Sequence, residues 1–453
     1  MTTAASQHSV YIALGSNMGD RASAILEALH ELKALGTVAC TSHLYETAPM
    51  YHADQPSFLN AVCKFETVLP PLQLLDGLQA IEGRVGRRTS FRNGPRLIDL
   101  DLLLHGAHCL ASERLTIPHE RIAERAFVLK PLCDLLGPHE LLPGLLQSPH
   151  TLLALLPEAD RSEVRRVLPP PHGEAHTRQQ SMVMIMGILN VTPDSFSDGG
   201  AFDNSVEVAV QQALLLEQQG ATIIDIGGES TRPGASAVSV EEELRRTVPV
   251  IRAIRAAGSR CLISIDTRKA AVATEAIAAG ADIVNDVSAG THDAAMLPAV
   301  GALGVPFVAM HMRGDPSSMQ ALAQYHSGDV VGEVAAELSA QLRQLDLHLP
   351  RWLQIVDPGI GFAKGHKQNV ELLRPANLRR LKQLLGNRPL LVGLSRKRFL
   401  GTILQETMAQ RLDLATAAGC CAAILGGADI LRVHSVVPVR TVCDSFQALV
   451  PFD

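Results

Sequence analysis

The chain has 453 residues, 47% of them hydrophobic and 19% charged, with a formal net charge of −6. That length exceeds what one hydrophobic core fills and predicts two domains, while the acidic balance gives no whole-chain attraction for nucleic acid. Eight scattered cysteines without a Cys-x-x-Cys or zinc spacing predict reduced thiols in a cytoplasmic protein. The start, MTTAASQHSV, carries neither the basic nor the apolar region of a signal peptide. In chain order, VYIALGSN (10–17) predicts a strand and DRASAILEALHELKAL (20–35) a helix that Asp20 can cap. NAVCKFETVL (60–69) alternates like a half-buried strand, and PLQLLDGLQAIEGRVG (71–86) predicts a helix opened by proline. RLIDLDLLLHG (96–106) follows as a central strand, and the set predicts an α+β sandwich.

RLIDLDLLL places Asp99 and Asp101 two apart, so in a strand both carboxylates project from one face. Like charges there repel and resist desolvation. An exposed edge with solvated acids is one reading, and a cation between them is the other. Arg84, Arg87, Arg88, Arg92 and Arg96 precede the pair, and Arg114, His119 and Arg125 follow it. Arginines beside paired carboxylates suit a nucleoside triphosphate with Mg²⁺: the acids hold metal and the arginines neutralise phosphate. No P-loop motif is present.

Residues 158–181 are polar and charged with Pro169–Pro171, which predicts a linker between domains at 8–157 and 182–449. Beyond it, strand-like runs recur at 183–190, 221–227, 261–266, 281–287, 306–312, 352–359, 389–395 and 428–435, separated by amphipathic helices. Eight βα units predict a (β/α)8 TIM barrel, with a doubly wound open sheet as the alternative. The apolar stretch 414–431 predicts a packed helix running into a strand, because it meets Asp429. Each strand ends on polar residues: Asn190; Asp225 and Glu229 with Thr231 and Arg232; Asp266; Asn285; His311; Asp357; Ser395 and Lys397; Arg432 and His434. In such barrels that end carries the chemistry. Arg232, Arg432 and His434 can converge on an anion with Thr231 as a further donor. Asp266, Asn285, Asp357 and Lys397 can match a flat heterocycle, and Asn190 offers a hard oxygen to Mg²⁺.

GILNVTPDSFSDGG, DIGGESTRPGA, SIDT, NDVSAG, MHMRGDP, DPGIGFAK, GLSRKRFLG and RVHS, in order across the second half, closely resemble dihydropteroate synthases. The resemblance implies that p-aminobenzoate displaces diphosphate from a hydroxymethyldihydropterin diphosphate. It places the pterin on Asp266, Asn285, Asp357 and Lys397, and the diphosphate on Thr231, Arg232, Arg432 and His434. One Mg²⁺ falls on Asn190, p-aminobenzoate lies beside Phe196 and Ser395, and Lys397 and Arg432 act in catalysis. YIALGSNMGDR, YETAPM, DQPSFLNAV, GPRLIDLDLLL and RLTIPHERIAERAF resemble 6-hydroxymethyl-7,8-dihydropterin pyrophosphokinases, which have a ferredoxin-like sandwich. By that resemblance Asp99 and Asp101 hold two Mg²⁺. ATP, the co-substrate, meets Glu82, Arg87, Arg88, Arg92, Arg96, Arg114, Thr116, His119 and Arg125. Pterin meets Thr47, Phe58, Asn60 and Phe127, and Asp99, Asp101, Arg87 and Arg96 are catalytic. The expectation is a bifunctional enzyme with small-molecule substrates, no membrane or nucleic-acid partner, and a homodimer through the barrel. A non-catalytic pterin-binding first domain and a pterin-dependent methyltransferase barrel are the alternatives.

Overall fold

The computed structural model describes residues 7–49, 55–86, 94–167, 183–192, 202–230, 237–315 and 318–449. The chain forms two compact units, Met1–Thr177 with Pro350–Trp352, and Arg178–Leu349 with Leu353–Asp453.

The first unit contains strands β1 (His8–Ser16), β2 (Thr37–Thr41), β3 (Leu44–Thr47), β4 (Phe58–Thr67) and β5 (Asp99–His105). A short ribbon, β6 (Leu110–Ala111) with β7 (Thr116–Ile117), and β8 (Arg165–Val167) complete it. The antiparallel sheet runs β5-β1-β4-β3-β8, with β2 also paired to the long β4. Helix α1 (Arg21–Leu32) is capped by Asp20, whose carboxylate accepts from Ser23 N at 3.1 Å. Helix α2 (Pro71–Val85) begins on proline and stops at Gly86, whose φ of +109° is the left-handed stop that glycine adopts freely. Helix α3 (Ala126–Leu135) buries Val128, Leu129 and Leu132 in a cluster with Tyr11, Val62 and Leu103. Each large apolar side chain buried there contributes about 1.5–3 kcal/mol relative to exposure.

One expectation fails here. β5 is an edge strand, not a central one, because only β1 pairs with it in the sheet. Its outer flank is covered by other means. The Glu82 carboxylate accepts from Leu100 N at 2.8 Å, and His119 N donates to Leu103 O at 2.9 Å. An apolar edge blunted in this way hides its open hydrogen-bonding groups, so its composition reads like that of an interior strand.

The second unit contains β9 (Met184–Asn190), β10 (Ile223–Gly227), β11 (Leu262–Asp266), β12 (Ile283–Asp286), β13 (Phe307–Met310), β14 (Gln354–Asp357), β15 (Leu391–Val392) and β16 (Ile430–Val433). They pair in the order β14-β13-β12-β11-β10-β9-β16-β15, and a parallel bridge from Val356 to Leu390 joins the two ends. The sheet therefore closes into a barrel, and the open-sheet alternative falls. Met184, Met186, Ile223, Leu262, Ile283, Val308, Ile355, Leu391 and Ile430 fill its interior, so every strand contributes. Strand β15 is far shorter than the predicted 389–395, since only Leu391 and Val392 pair with β16. The run at 414–431 is helix Ala409–Leu425 leading into β16, and among the described residues no helix is long and apolar enough to cross a membrane.

Candidate active sites

In the first unit, pairing register lines up a site. Asn60 on β4 faces Gly15 on β1, and Gly15 faces Asp99 on β5. Asp101 sits opposite Ala13, two residues along. A Cβ on Gly15 would lie 3.4 Å from Asn60 Oδ1 and 3.9 Å from Asp99 Cβ, so the glycine keeps open the floor between amide and acid. These residues line an open cleft with Thr47, Phe58, Arg96, His119, Arg125 and Phe127. Asn60 Nδ2 donates to Thr47 Oγ1 at 2.9 Å, which fixes the amide.

The acids are partly neutralised. Arg96 Nη1 lies 2.6 Å from Asp99 Oδ1, while Arg125 Nη1 stands 3.8 Å from Asp101 Oδ2 and the Arg125 guanidinium lies 5.5 Å from the Phe127 ring centre. Desolvation first, and then the charge of Asp99, holds the Asp101 carboxyl above its usual range. That strain fits a divalent cation, which would relieve the repulsion while phosphates and water complete its shell. His119 Nδ1 accepts from Arg121 N at 3.1 Å, so the neutral ring carries its proton on Nε2. Burial lowers its pKa and favours that neutral form.

Not every predicted residue reaches this cleft. Glu82 is buried under Leu100 N, gripping the backbone between the two aspartates. Arg114 pairs with Asp76 on the surface, and Thr116 is exposed on β7. Arg87, Arg88 and Arg92 lie outside the described residues.

At the barrel mouth a second row forms across neighbouring strands: Asn190, Gly227, Asp266 and Asn285 stand in register. A Cβ on Gly227 would lie 3.8 Å from both Asn190 Oδ1 and Asp266 Oδ2, so this glycine also leaves space between polar groups. Beneath the row is Asp225, which is fully buried. Arg432 joins the two levels, with Nε 2.6 Å from Asp225 Oδ2 and Nη2 2.7 Å from Asp266 Oδ2. Asn285 Nδ2 donates to Asp225 Oδ2 at 3.2 Å. Sequence reading placed Asp225 at the mouth without seeing it as the hub, because its partner Arg432 is 207 residues away.

Asp357 accepts from Gly359 N at 2.7 Å, and burial pushes its carboxyl up to about 6. Burial and the charge of Arg432 bring Lys397 down to about 8, with Nζ 4.0 Å from the centre of the Phe362 ring. Ser395 Oγ accepts from His434 N at 3.1 Å and meets His434 Nδ1 at 3.0 Å. Two expectations change. His434 is no cation at neutral pH, since burial and then Arg396 hold it down to about 4. Arg432 is not a free anion anchor either, because two carboxylates already engage it.

Other mouth residues are struts. Glu229 binds Lys269 at 2.7 Å and Arg268 at 3.2 Å, and His311 lies between Glu337 at 3.0 Å and Lys364 at 2.9 Å. Phe196, Thr231 and Arg232 lie outside the described residues.

A closed barrel with an acid–guanidinium network at its mouth, and in the same chain a sheet unit with a metal-ready acid pair in a cleft, define a two-domain α/β enzyme. Comparison with known proteins makes this specific. Residues 11–137 match the 7,8-dihydro-6-hydroxymethylpterin-pyrophosphokinase family, and residues 186–434 match the pterin binding enzyme family. The mitochondrial folate synthesis bifunctional protein of Arabidopsis thaliana is 44% identical over 466 residues, covering 97% of this chain and 83% of that one. The dihydropteroate synthase of Synechocystis sp. is 48% identical over 284 residues, 62% of this chain and 95% of that one. Among solved structures, Plasmodium falciparum HPPK-DHPS with pterin and p-hydroxybenzoate shares the fold, with a TM-score of 0.78 at 23% identity over 100% of this chain and 97% of that one. The Xanthomonas albilineans dihydropteroate synthase with 4-aminobenzoic acid is 42% identical with a TM-score of 0.55, over 60% of this chain and 94% of that one. The chain belongs to both families, joined in one polypeptide as in the bifunctional folate synthesis proteins.

Proposed function

We propose that the two units catalyse consecutive steps of folate synthesis. The first transfers diphosphate from ATP to the hydroxyl of 6-hydroxymethyl-7,8-dihydropterin, releasing AMP. The second joins that product to p-aminobenzoate, releasing diphosphate and forming 7,8-dihydropteroate. The observation that carries the reading is the Asn60–Gly15–Asp99 row, which sets a heterocycle-binding amide and a metal-binding acid on one floor. The methyltransferase alternative is not favoured, because the chain is 44% identical over 97% of its length to a folate synthesis bifunctional protein, and neither is the inert module, which has no use for paired acids.

In the first site Asn60 and Thr47 read the pterin edge, while Phe58 and Phe127 offer their rings to its faces. Asp99 and Asp101 hold two Mg²⁺, and His119, Arg96 and Arg125 face the triphosphate. Bound Mg²⁺ would neutralise phosphate oxygens and align the donor with the hydroxyl. Arg87, Arg88 and Arg92 join them in this proposal on the strength of the resemblance alone. Glu82 positions the acids through Leu100 rather than by touching ATP.

In the second site Asp266 and Asn285 take the pterin edge, with Arg432 bracing Asp266. Asp357 accepts from the ring, and protonated Lys397 donates to it. Arg432, with Thr231 and Arg232, offers charge to the departing diphosphate. Asn190 holds one Mg²⁺, and Ser395 and Phe196 flank p-aminobenzoate. His434 contributes as a neutral hydrogen-bonding group.

Eight free cysteines among the described residues support a reducing, cytoplasmic setting. Sedimentation of the intact chain tests the homodimer. The barrel assignment is tested by supplying the pterin diphosphate and p-aminobenzoate without ATP: dihydropteroate forms if it is right, and its absence removes the synthase reading.

A further inference from the structure

We infer that the end of the first unit's sheet remote from the cleft holds a transition-metal site built from His8, His105 and His108. His8 opens β1, His105 closes β5, and His108 lies in the turn just beyond. That turn is tied back by Gly106 N donating to Ser9 O at 2.7 Å and His108 N to His105 O at 3.0 Å. The three ring centres stand 4.8, 5.2 and 5.1 Å apart, and one ring nitrogen from each lies within 4.8 Å of the others. Among the described residues this is the one such group of three His, Cys, Asp or Glu side chains.

The ring of His105 shows the direction of binding. It is completely buried, and Nε2 lies 2.9 Å from Leu69 O. A carbonyl accepts only from N–H, so Nε2 carries the proton and Nδ1 presents a bare lone pair. Nδ1 is buried and has no hydrogen-bond partner. A buried acceptor left unmade is costly and calls for an explanation. A histidine that gives its far N–H to a backbone carbonyl and turns the other nitrogen inward has the arrangement that orients metal ligands.

The other two rings can complete the set. His8 is half-buried and His108 exposed, so both can swing while His105 stays fixed. Metal–nitrogen bonds of about 2.0–2.1 Å put tetrahedral ligand atoms roughly 3.3 Å apart, so closure needs about 1.5 Å of side-chain movement. Gly106, at φ +52°, backs the cluster: a Cβ there would stand 3.9 Å from His8 Nδ1. Three imidazoles select a borderline dication such as Zn²⁺, Co²⁺ or Ni²⁺ over Mg²⁺, and leave a fourth position for water. Six residue steps along β5 put the cluster about 20 Å from Asp99, clear of the proposed Mg²⁺ site. A metal here clamps the start of β1 to the end of the edge strand that carries both aspartates, and stabilises the fold by binding only the folded chain.

The experiment uses the intact chain, stripped with chelator and held in excess Mg²⁺, with Co²⁺ as probe and Zn²⁺ as competitor. Expected are visible d–d bands of a tetrahedral nitrogen-rich site at one equivalent, their loss on adding Zn²⁺, and a higher melting temperature with either metal. His108→Gln and His8→Gln, both at accessible positions, should fold normally without metal yet bind at least about tenfold more weakly, since even an outer-shell partner is worth that much. His105→Asn disturbs a buried position, so the other two substitutions decide the matter. Equal Co²⁺ affinity in the parent and both variants overturns the site, as do cobalt–thiolate charge-transfer bands that both variants retain.

Discussion

Replacing Arg432 by Met tests the barrel network most sharply. The change keeps a long apolar stem but removes the charge that bridges Asp225, fully buried, and Asp266, with 12% of its side chain exposed. Removing one partner of a buried pair typically costs about 3–5 kcal/mol, because the remaining charge is uncompensated. For a unit of this size each kcal/mol lowers the melting temperature by about 2–4 °C, so the loss is on the order of 6–20 °C. The loss should also depend on pH in a set direction. Burial already raises the Asp266 carboxyl to about 7, and removing the guanidinium that holds it down raises it further, so the folded state binds more protons and its stability falls as pH rises. The gap between variant and parent is therefore larger at pH 8 than at pH 5.5. Calorimetry on the intact chain at both pH values reads this directly. Because Arg432 braces Asp266, free-pterin binding should weaken as well as the synthase rate. An unchanged melting temperature at pH 8, or a loss equal at both pH values, would refute the bridging role.

Asp101→Asn should lower AMP formation by about two orders of magnitude or more, as losing a preorganised charge does, while the synthase keeps its rate on supplied pterin diphosphate; near-normal AMP formation at ordinary Mg²⁺ would dismiss the metal pair. The synthase kcat/KM should be bell-shaped, since its free site needs Asp357 ionised, above about 6, and Lys397 protonated, below about 8. In Asp357→Asn the acid limb should change shape and leave only the part set by Asp266, which burial raises to about 7, and a limb identical to the parent's assigns it elsewhere. Cleavage between Pro171 and Ser181 should leave two folded fragments, each with its own activity; a fragment without secondary structure by circular dichroism would end the claim of autonomy.

The sequence made legible whatever is local. A period of two put Asp99 and Asp101 on one face, and regular alternation of strand and helix marked the barrel. Proline at the start and glycine at the end of α2 were readable for the same reason. What escaped depends on pairing between distant segments. Whether RLIDLDLLL is central or at an edge is decided by which strands lie beside it, and here a Glu82 side chain and the His119 backbone cover its flank. Gly15 gains meaning only when register puts it between Asn60 and Asp99. Burial, too, is set by the fold, so nothing in the motif RVHS reveals that His434 is neutral while Arg432 is already paired. Glu82, Arg114 and Thr116 were assigned by resemblance to ATP, and all three lie off the lining of the first cleft.

The central claim is that one chain runs both steps in sequence, and one coupled assay tests it. The intact protein is supplied with 6-hydroxymethyl-7,8-dihydropterin, ATP, Mg²⁺ and p-aminobenzoate, and AMP and dihydropteroate are followed together. Both should appear, in equal amounts once the diphosphate intermediate is consumed, and Asp101→Asn should abolish both unless that diphosphate is added. No AMP from the intact chain, or AMP without dihydropteroate, would contradict the account.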